Sequence, residues 1–158
     1  MKRNSFVSLV IVLCLALILA VGFLQADVSS EAEPTRLEAV VASGLLSAKL
    51  HLSDHERKSP ISASSSDLEK GKQYYQEQCS FCHGEPTGKP AMLANAFSPR
   101  PPQFVTNPTK RETWMNAYLI RHGIRWSAMP AFGNLSEADA WRIALYLDTL
   151  KSKARQNR

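Results

Sequence analysis

The stretch Cys79-Ser80-Phe81-Cys82-His83 constrains this chain more than any other. Two thiols three residues apart can reach the two vinyl groups of a single porphyrin and form thioethers with them. The histidine that follows is then placed on one face of the ring, where it can ligate iron. The C-x-x-C-H spacing is the attachment signature of a c-type haem. A chain that carries it must wrap a flat apolar group, close the second face of the iron, and reach a compartment where such haem is attached.

Two other chemistries use closely spaced cysteines. A zinc site needs four ligands, commonly from two such pairs, and here there is one pair besides Cys14. His83 also follows Cys82 too closely for easy tetrahedral geometry with both thiols. A redox dithiol sits at a helix N-terminus after a strand, where the dipole lowers the thiol pKa; Cys79 instead ends a helical pattern with no strand before it. Cys14 lies inside an apolar run and reads as a small hydrophobe. Three cysteines make no disulfide framework.

That apolar run covers Phe6 to Leu24, with Lys2 and Arg3 before it and Asp27, Glu31 and Glu33 after it. Its length suffices to cross a hydrocarbon core of about 30 Å as a helix. The cations on its N-terminal side place everything beyond Gln25 outside the cytoplasm. The run exceeds the about 7–15 apolar residues of a cleavable signal, and Ala20-Val21-Gly22 is its only fair small-x-small site. Residues 1–26 are therefore read as an uncleaved single-pass anchor in the cytoplasmic (inner) membrane, with the rest in the periplasm. Cleavage would make the protein soluble and periplasmic.

Residues 27–66 read as a juxtamembrane helix and a flexible linker. Thr35-Arg36-Leu37-Glu38 fits a capping box after Pro34. Leu37, Val40, Val41, Leu45 and Ala48 then recur at near-helical spacing, which suits a helix on the membrane surface or against the domain that follows. His51 and His55 stand at i, i+4 with no third ligand in sight. From Ser59 to Ser66 the chain is rich in Ser and Pro, as linkers are.

Residues 67–151 carry the folded domain, and 152–158 a basic tail. Ser66-x-x-Glu69 is a capping box for a helix expected to run to about Gln78, with Leu68, Gly71, Tyr75 and Cys79 on one stripe. A glycine inside a helix is unfavourable by up to about 1 kcal/mol relative to alanine, so Gly71 predicts close approach by another element. Gly84 to Pro108 is a proline-rich loop suited to covering a ring edge with Met92, Leu93, Phe97 and Phe104. Thr109-x-x-Glu112 predicts a helix from Lys110 to His122, stopped by Gly123, with Trp114, Tyr118 and Leu119 inward. Ser136-x-x-Asp139 predicts a last helix from Glu137 to about Leu150, with Ala140, Ile143, Ala144, Leu147 and Leu150 as its core stripe.

The second axial ligand separates an electron carrier from a haem enzyme or sensor. Met92, Met115, Met129 and His122 are the available residues. Met92 follows His83 too closely on the same loop, Met115 lies within a helix, and His122 sits at a helix end where the dipole favours it. Met129 stands in a loop beside Pro130, which restricts its backbone, and is the residue of choice. His and Met on opposite faces give a six-coordinate iron tuned toward higher potential.

Three stretches resemble a small single-haem class I c-type cytochrome in order: Gly71, Tyr75 and Cys79–His83; Gly123-Ile124-Arg125 with Met129-Pro130-Ala131-Phe132-Gly133; and Ala144-Leu145-Tyr146-Leu147. The resemblance implies an all-α domain of three main helices around one covalent haem c. It implies that Cys79 and Cys82 hold the haem, with His83 and Met129 on the iron. It also implies a proline carbonyl accepting from the His83 imidazole, for which Pro90, Pro101 and Pro102 compete. With the anchor, it makes the chain an electron carrier or cytochrome subunit rather than an enzyme in itself. A gas-binding or sensory haem module is the rival reading.

Charge bears on partners. The chain carries a net +5, and the last 92 residues hold 13 Lys and Arg against 8 Asp and Glu. Such a field steers docking to an acidic surface, for example on a terminal oxidase or dehydrogenase. Lys89, Arg121 and Arg125 are expected as a basic rim, with Trp126, Met129 and the pentad flanking the exposed ring edge. No Lys/Arg run is dense enough for nucleic acid.

Overall fold

The computed structural model describes residues 2–25, 29, 32–52, 57–125 and 127–156; His55 and Trp126 lie outside them. Its regular elements among the described residues are all helices, as the sequence predicts. The chain divides into two compact units, Met1–Ala32 and Glu33–Arg158. The first contains helix α1, Lys2–Leu24. Its window Val7–Leu24 has mean hydropathy 3.1 and no buried residue, so it is long and apolar enough to cross a membrane.

The second unit opens with α2, Arg36–Leu52. The Thr35 box caps it as expected: the Thr35 N–H donates to Glu38 Oε2 (2.6 Å) and the Glu38 N–H to Thr35 Oγ1 (3.3 Å). Only the C-terminal part of α2 joins the core, through Leu50, which is 2% exposed, and Leu46 packed against it. The chain that follows touches the domain at two points, while residues 62–66 are exposed. The Arg57 guanidinium lies 4.9 Å from the centre of the Trp114 ring, and Ile61 packs on the core.

Helix α3 runs Ser65–Tyr74 and begins earlier than predicted. Ser64, not Ser66, is the cap, its Oγ accepting from the Asp67 N–H at 3.1 Å. Asp67 is the better partner because it is also tied to Arg142 Nε at 2.8 Å. The helix does not stay regular to Gln78. A π-turn, Tyr75–Cys79, follows it, and then one short α-helical segment, α4, Ser80–His83. Single π-turns within helices recur at functional sites. This one leaves Tyr75 and Cys79 both buried.

Helix α5, Thr113–His122, starts three residues later than expected, and Thr109 does not cap it. Thr109 is buried and donates to Asn116 Oδ1 (3.2 Å), so its hydroxyl serves the interior instead. Helix α6, Glu137–Gln156, has the expected Ser136 cap, with the Asp139 N–H donating to Ser136 Oγ at 3.1 Å. It passes Leu150 because Lys, Ala, Arg and Gln favour helix and no Gly or Pro stops it.

The predicted α6 stripe, Ala140, Ile143, Ala144, Leu147 and Leu150, is buried throughout, with Trp141 and Tyr146 beside it. Helices α3 and α6 cross where Gly71 faces the Arg142–Ile143 backbone, and Tyr75 packs on Tyr146 with ring centres 5.4 Å apart. Helix α5 packs on α6 from another side, tied by a hydrogen bond from Thr113 Oγ1 to the Asp148 carboxylate. These three main helices set the frame around the pentad.

Candidate haem-binding site

The site grows from the end of α3. With Tyr75 buried at the head of the π-turn, its hydroxyl meets the carbonyls of His83 (3.0 Å) and Gly84 (2.8 Å), so the pentad's far end is tied back to the helix that leads into it. Cys79 is buried and Cys82 half-buried, and both thiols are free of any disulfide. Burial, and after it the neighbouring Cys82, pushes the Cys79 thiol up to about 12. Among the described residues no three His, Cys, Asp or Glu side chains are grouped to hold a metal ion, the pentad included. That is unlike a compact zinc site.

His83 is oriented by one hydrogen bond and one stacked ring. Its Nδ1 lies 2.8 Å from the Pro102 carbonyl oxygen, which can only accept, so Nδ1 carries the proton. Of the three prolines left open by sequence, the partner is thus Pro102. Burial lowers the imidazole's pKa against the opposing pull of that carbonyl, which keeps the ring neutral. Nε2 is then the nitrogen with a lone pair for iron, and the backbone acceptor fixes the tautomer as such partners do in metal-ligating histidines. Phe104 stacks on the imidazole, ring centres 4.6 Å apart and 14° from parallel.

Gln103 was not singled out from sequence, yet it ties the long loop to the pentad. Its Nε2 donates to the carbonyls of Cys82 and Pro101, both at 3.0 Å, and its Oε1 accepts from the Ala91 N–H at 2.9 Å. The Phe104 N–H adds a bond to the His83 carbonyl (3.2 Å). The only sequence signal was a lone amide between prolines and an aromatic residue. Of the loop's expected cover, Leu93, Phe97 and Phe104 are half-buried, whereas Met92 is exposed.

Met129 comes from the separate loop after α5, where it is half-buried and packs on the core cluster that includes Cys79. Its backbone is held from both sides. The Met129 N–H donates to Ser127 Oγ (3.1 Å), and its carbonyl accepts from the Ile124 N–H (3.1 Å). Gly123, at φ +68°, lets the chain turn so tightly that a Cβ there would lie 2.8 Å from the Met129 carbonyl oxygen. Two other axial choices have different settings. Met115 is a buried member of that same cluster, and His122 is exposed and packs on Tyr118, ring centres 4.3 Å apart. Of the expected basic rim, Lys89 pairs with Glu85 at 3.5 Å, and Arg121 lies in a groove lined by Trp114, Trp141 and Glu137.

The residues present fit a covalent haem. Two unbridged thiols one turn apart precede an imidazole whose free nitrogen is left for iron, and a methionine is held on a fixed loop against the same core.

A family model described as cytochrome C oxidase, cbb3-type, subunit III matches residues 66–147, just over half of the chain. No curated protein matches. Among solved structures, a chain of the reducing HAO-like protein complex of Kuenenia stuttgartiensis is similar, with a TM-score of 0.51 and 21% sequence identity. The likeness covers 62% of this chain and 50% of that one, so this chain spans about half of its neighbour. At that identity the likeness concerns the fold.

Proposed function

The chain belongs to the family described as cytochrome C oxidase, cbb3-type, subunit III, a family of c-type cytochrome domains, and from that membership we propose a tethered single-electron carrier. Family membership carries with it covalent haem c and haem-based electron transfer. One haem, a His83 and Met129 ligand pair, and a place on the outer face of the cytoplasmic membrane are the proposal.

In this reading residues 67–151 form the haem domain. Cys79 and Cys82 hold the haem as thioethers, and the haem supplies a one-electron couple. His83 offers Nε2 to the iron while Pro102 keeps its tautomer and ring plane. Met129 offers its thioether from a loop whose backbone is already fixed, which limits rearrangement between redox states. Helix α1 anchors the chain, and the cations of the C-terminal part meet an acidic redox partner such as an oxidase or dehydrogenase. The observation that supports this best is the His83 ring: Nδ1 is committed to Pro102 at 2.8 Å beside two unbridged thiols.

The test is the mass and ligand chemistry of the purified protein. Expressed with a haem-attachment system, the chain gains the mass of one haem, and the Cys79→Ala, Cys82→Ala double variant gains none. The reduced protein should leave carbon monoxide unbound at neutral pH. Binding of carbon monoxide would mean an open sixth position and would favour a gas-binding or sensory module.

A further inference from the structure

Helix α2 is apolar on two sides, and the domain covers one of them. Leu46 and Leu50 lie on the inner side, with Leu50 in the core. About half a turn away stand Leu37, Val40, Val41 and Leu45, which are 73%, 68%, 49% and 67% exposed. Gly44 and Ala48 continue the same stripe at helical spacing. In the last turn His51 falls on it and meets the Trp114 ring, centres 6.0 Å apart. The uncovered face thus runs from Leu37 to Ala48, with Leu52 exposed beyond it. Glu38 and Lys49 border the stripe on one edge, Arg36 and Ser47 on the other. A contiguous aliphatic face with polar edges is unusual on a soluble surface and is the pattern of helices that lie in a membrane interface.

Three observations select lipid as the occupant. Helix α1 is long and apolar enough to span and ends at Leu24, while α2 begins at Arg36. Residues 25–35 between them reach no more than about 40 Å when fully extended, which keeps α2 near the bilayer that α1 enters. From Leu37 to Ala48 the stripe is built of Leu, Val, Ala and Gly, without the Trp, Tyr or Arg anchors that dominate protein–protein hot spots. Arg36 and Lys49 sit at its edges, where long cationic side chains can reach headgroups while their stems lie on apolar surface.

We propose that the outer face of α2 lies in the headgroup–acyl boundary of the membrane, with its inner face docked on the haem domain. The helix then acts as a foot. It holds the domain with one side toward lipid, so the haem edge is offered to partners from a restricted set of directions. The inference rests on the anchor reading of α1.

The test uses the full haem-loaded chain in vesicles of phosphatidylethanolamine and phosphatidylglycerol. Nitroxide labels are read for collision with oxygen, which concentrates in lipid, and with a nickel chelate, which stays in water. The native Cys14 in α1 reports on the anchor. Val41→Cys and Leu45→Cys, each with Cys14→Ser, report on α2, and Thr87→Cys is the aqueous control. The proposal expects Val41 and Leu45 labels to have severalfold higher oxygen-to-nickel ratios than Thr87. If Cys14 reads lipid while the α2 labels read water, the foot is wrong and the anchor stands. If the α2 labels are shielded from both reagents, a second copy or a partner protein covers the stripe and the lipid assignment is overturned. If Cys14 does not read lipid, the anchor fails and takes the foot with it.

Discussion

Gly71 has no side chain because the Arg142 carbonyl oxygen stands where one would begin: a Cβ there would lie 2.1 Å from that oxygen and 2.6 Å from its carbon. Backbone cannot step aside as a flexible side chain can. Gly71→Ala must therefore part α3 from α6, and overpacking of this kind destabilises by about 1–3 kcal/mol. Chemical denaturation of the haem-loaded variant should show the loss as a lower midpoint with an unchanged slope; an unchanged midpoint would place the crossing elsewhere. The close approach was legible in the sequence as a glycine within a helical stripe. The same signal at Gly44 in α2 meets no neighbour within 4 Å, so the partner at Gly71 is set by the fold. The His83 acceptor was legible only as a choice among prolines, because which carbonyl meets Nδ1 depends on the path of a loop without periodicity. Gln103 was illegible for the same reason: two of its three hydrogen bonds reach segments 12 and 21 residues away.

At the scale of elements, the start of α3 is set by competition among neighbouring serines. Ser64 caps it, while the Ser66 hydroxyl meets Ser64 at 3.0 Å. Ser64→Ala should lower stability by about 1 kcal/mol, whereas Ser66→Ala should stay within about 0.5 kcal/mol of the parent; thermal unfolding of the two variants distinguishes the caps. The sequence reading put the cap at Ser66, and it did not show that Arg142 in α6 would draw in Asp67 and favour Ser64.

The same arginine, with the capping serines, contributes to the pH dependence of the α3–α6 crossing. Arg142 reaches Asp67 at 2.8 Å and Asp139 at 2.7 Å. The Ser64 hydroxyl, and then Arg142, hold the Asp67 carboxyl below its usual range. Burial pushes Asp139 up, but Ser136 and Arg142 together outweigh it and leave that carboxyl lowered as well. Carboxyls lowered by folding stabilise fully above the ordinary carboxylate range, and that stability is lost as pH falls through the lowered values. Stability measured from pH 7 downward should hold to about pH 4 and then decline. Arg142→Met should flatten that decline; an equally steep acid limb would assign it to other groups.

For the whole molecule, the architecture was written in motifs, and its finer joints were not. The pentad, the methionine loop and the α6 stripe predicted an all-α domain, and three main helices appear in the expected order with shifted ends. The π-turn at Tyr75–Cys79 had no sequence signal, since it reflects the joint burial of Tyr75 and Cys79 by tertiary contacts. The exposed stripe of α2 was visible as periodicity, but its division into a docked end and an uncovered face required the fold. A domain this small has little core of its own, so a buried porphyrin adds apolar contact that the helices alone lack. The central claim is that Met129 and His83 close the iron on both faces. The most direct measurement is the absorption spectrum of oxidised Met129→Ala beside the parent. The sulfur-to-iron charge-transfer band should be present in the parent and absent in the variant while the haem stays covalently attached. A band that survives in the variant would contradict the assignment of Met129 as the ligand.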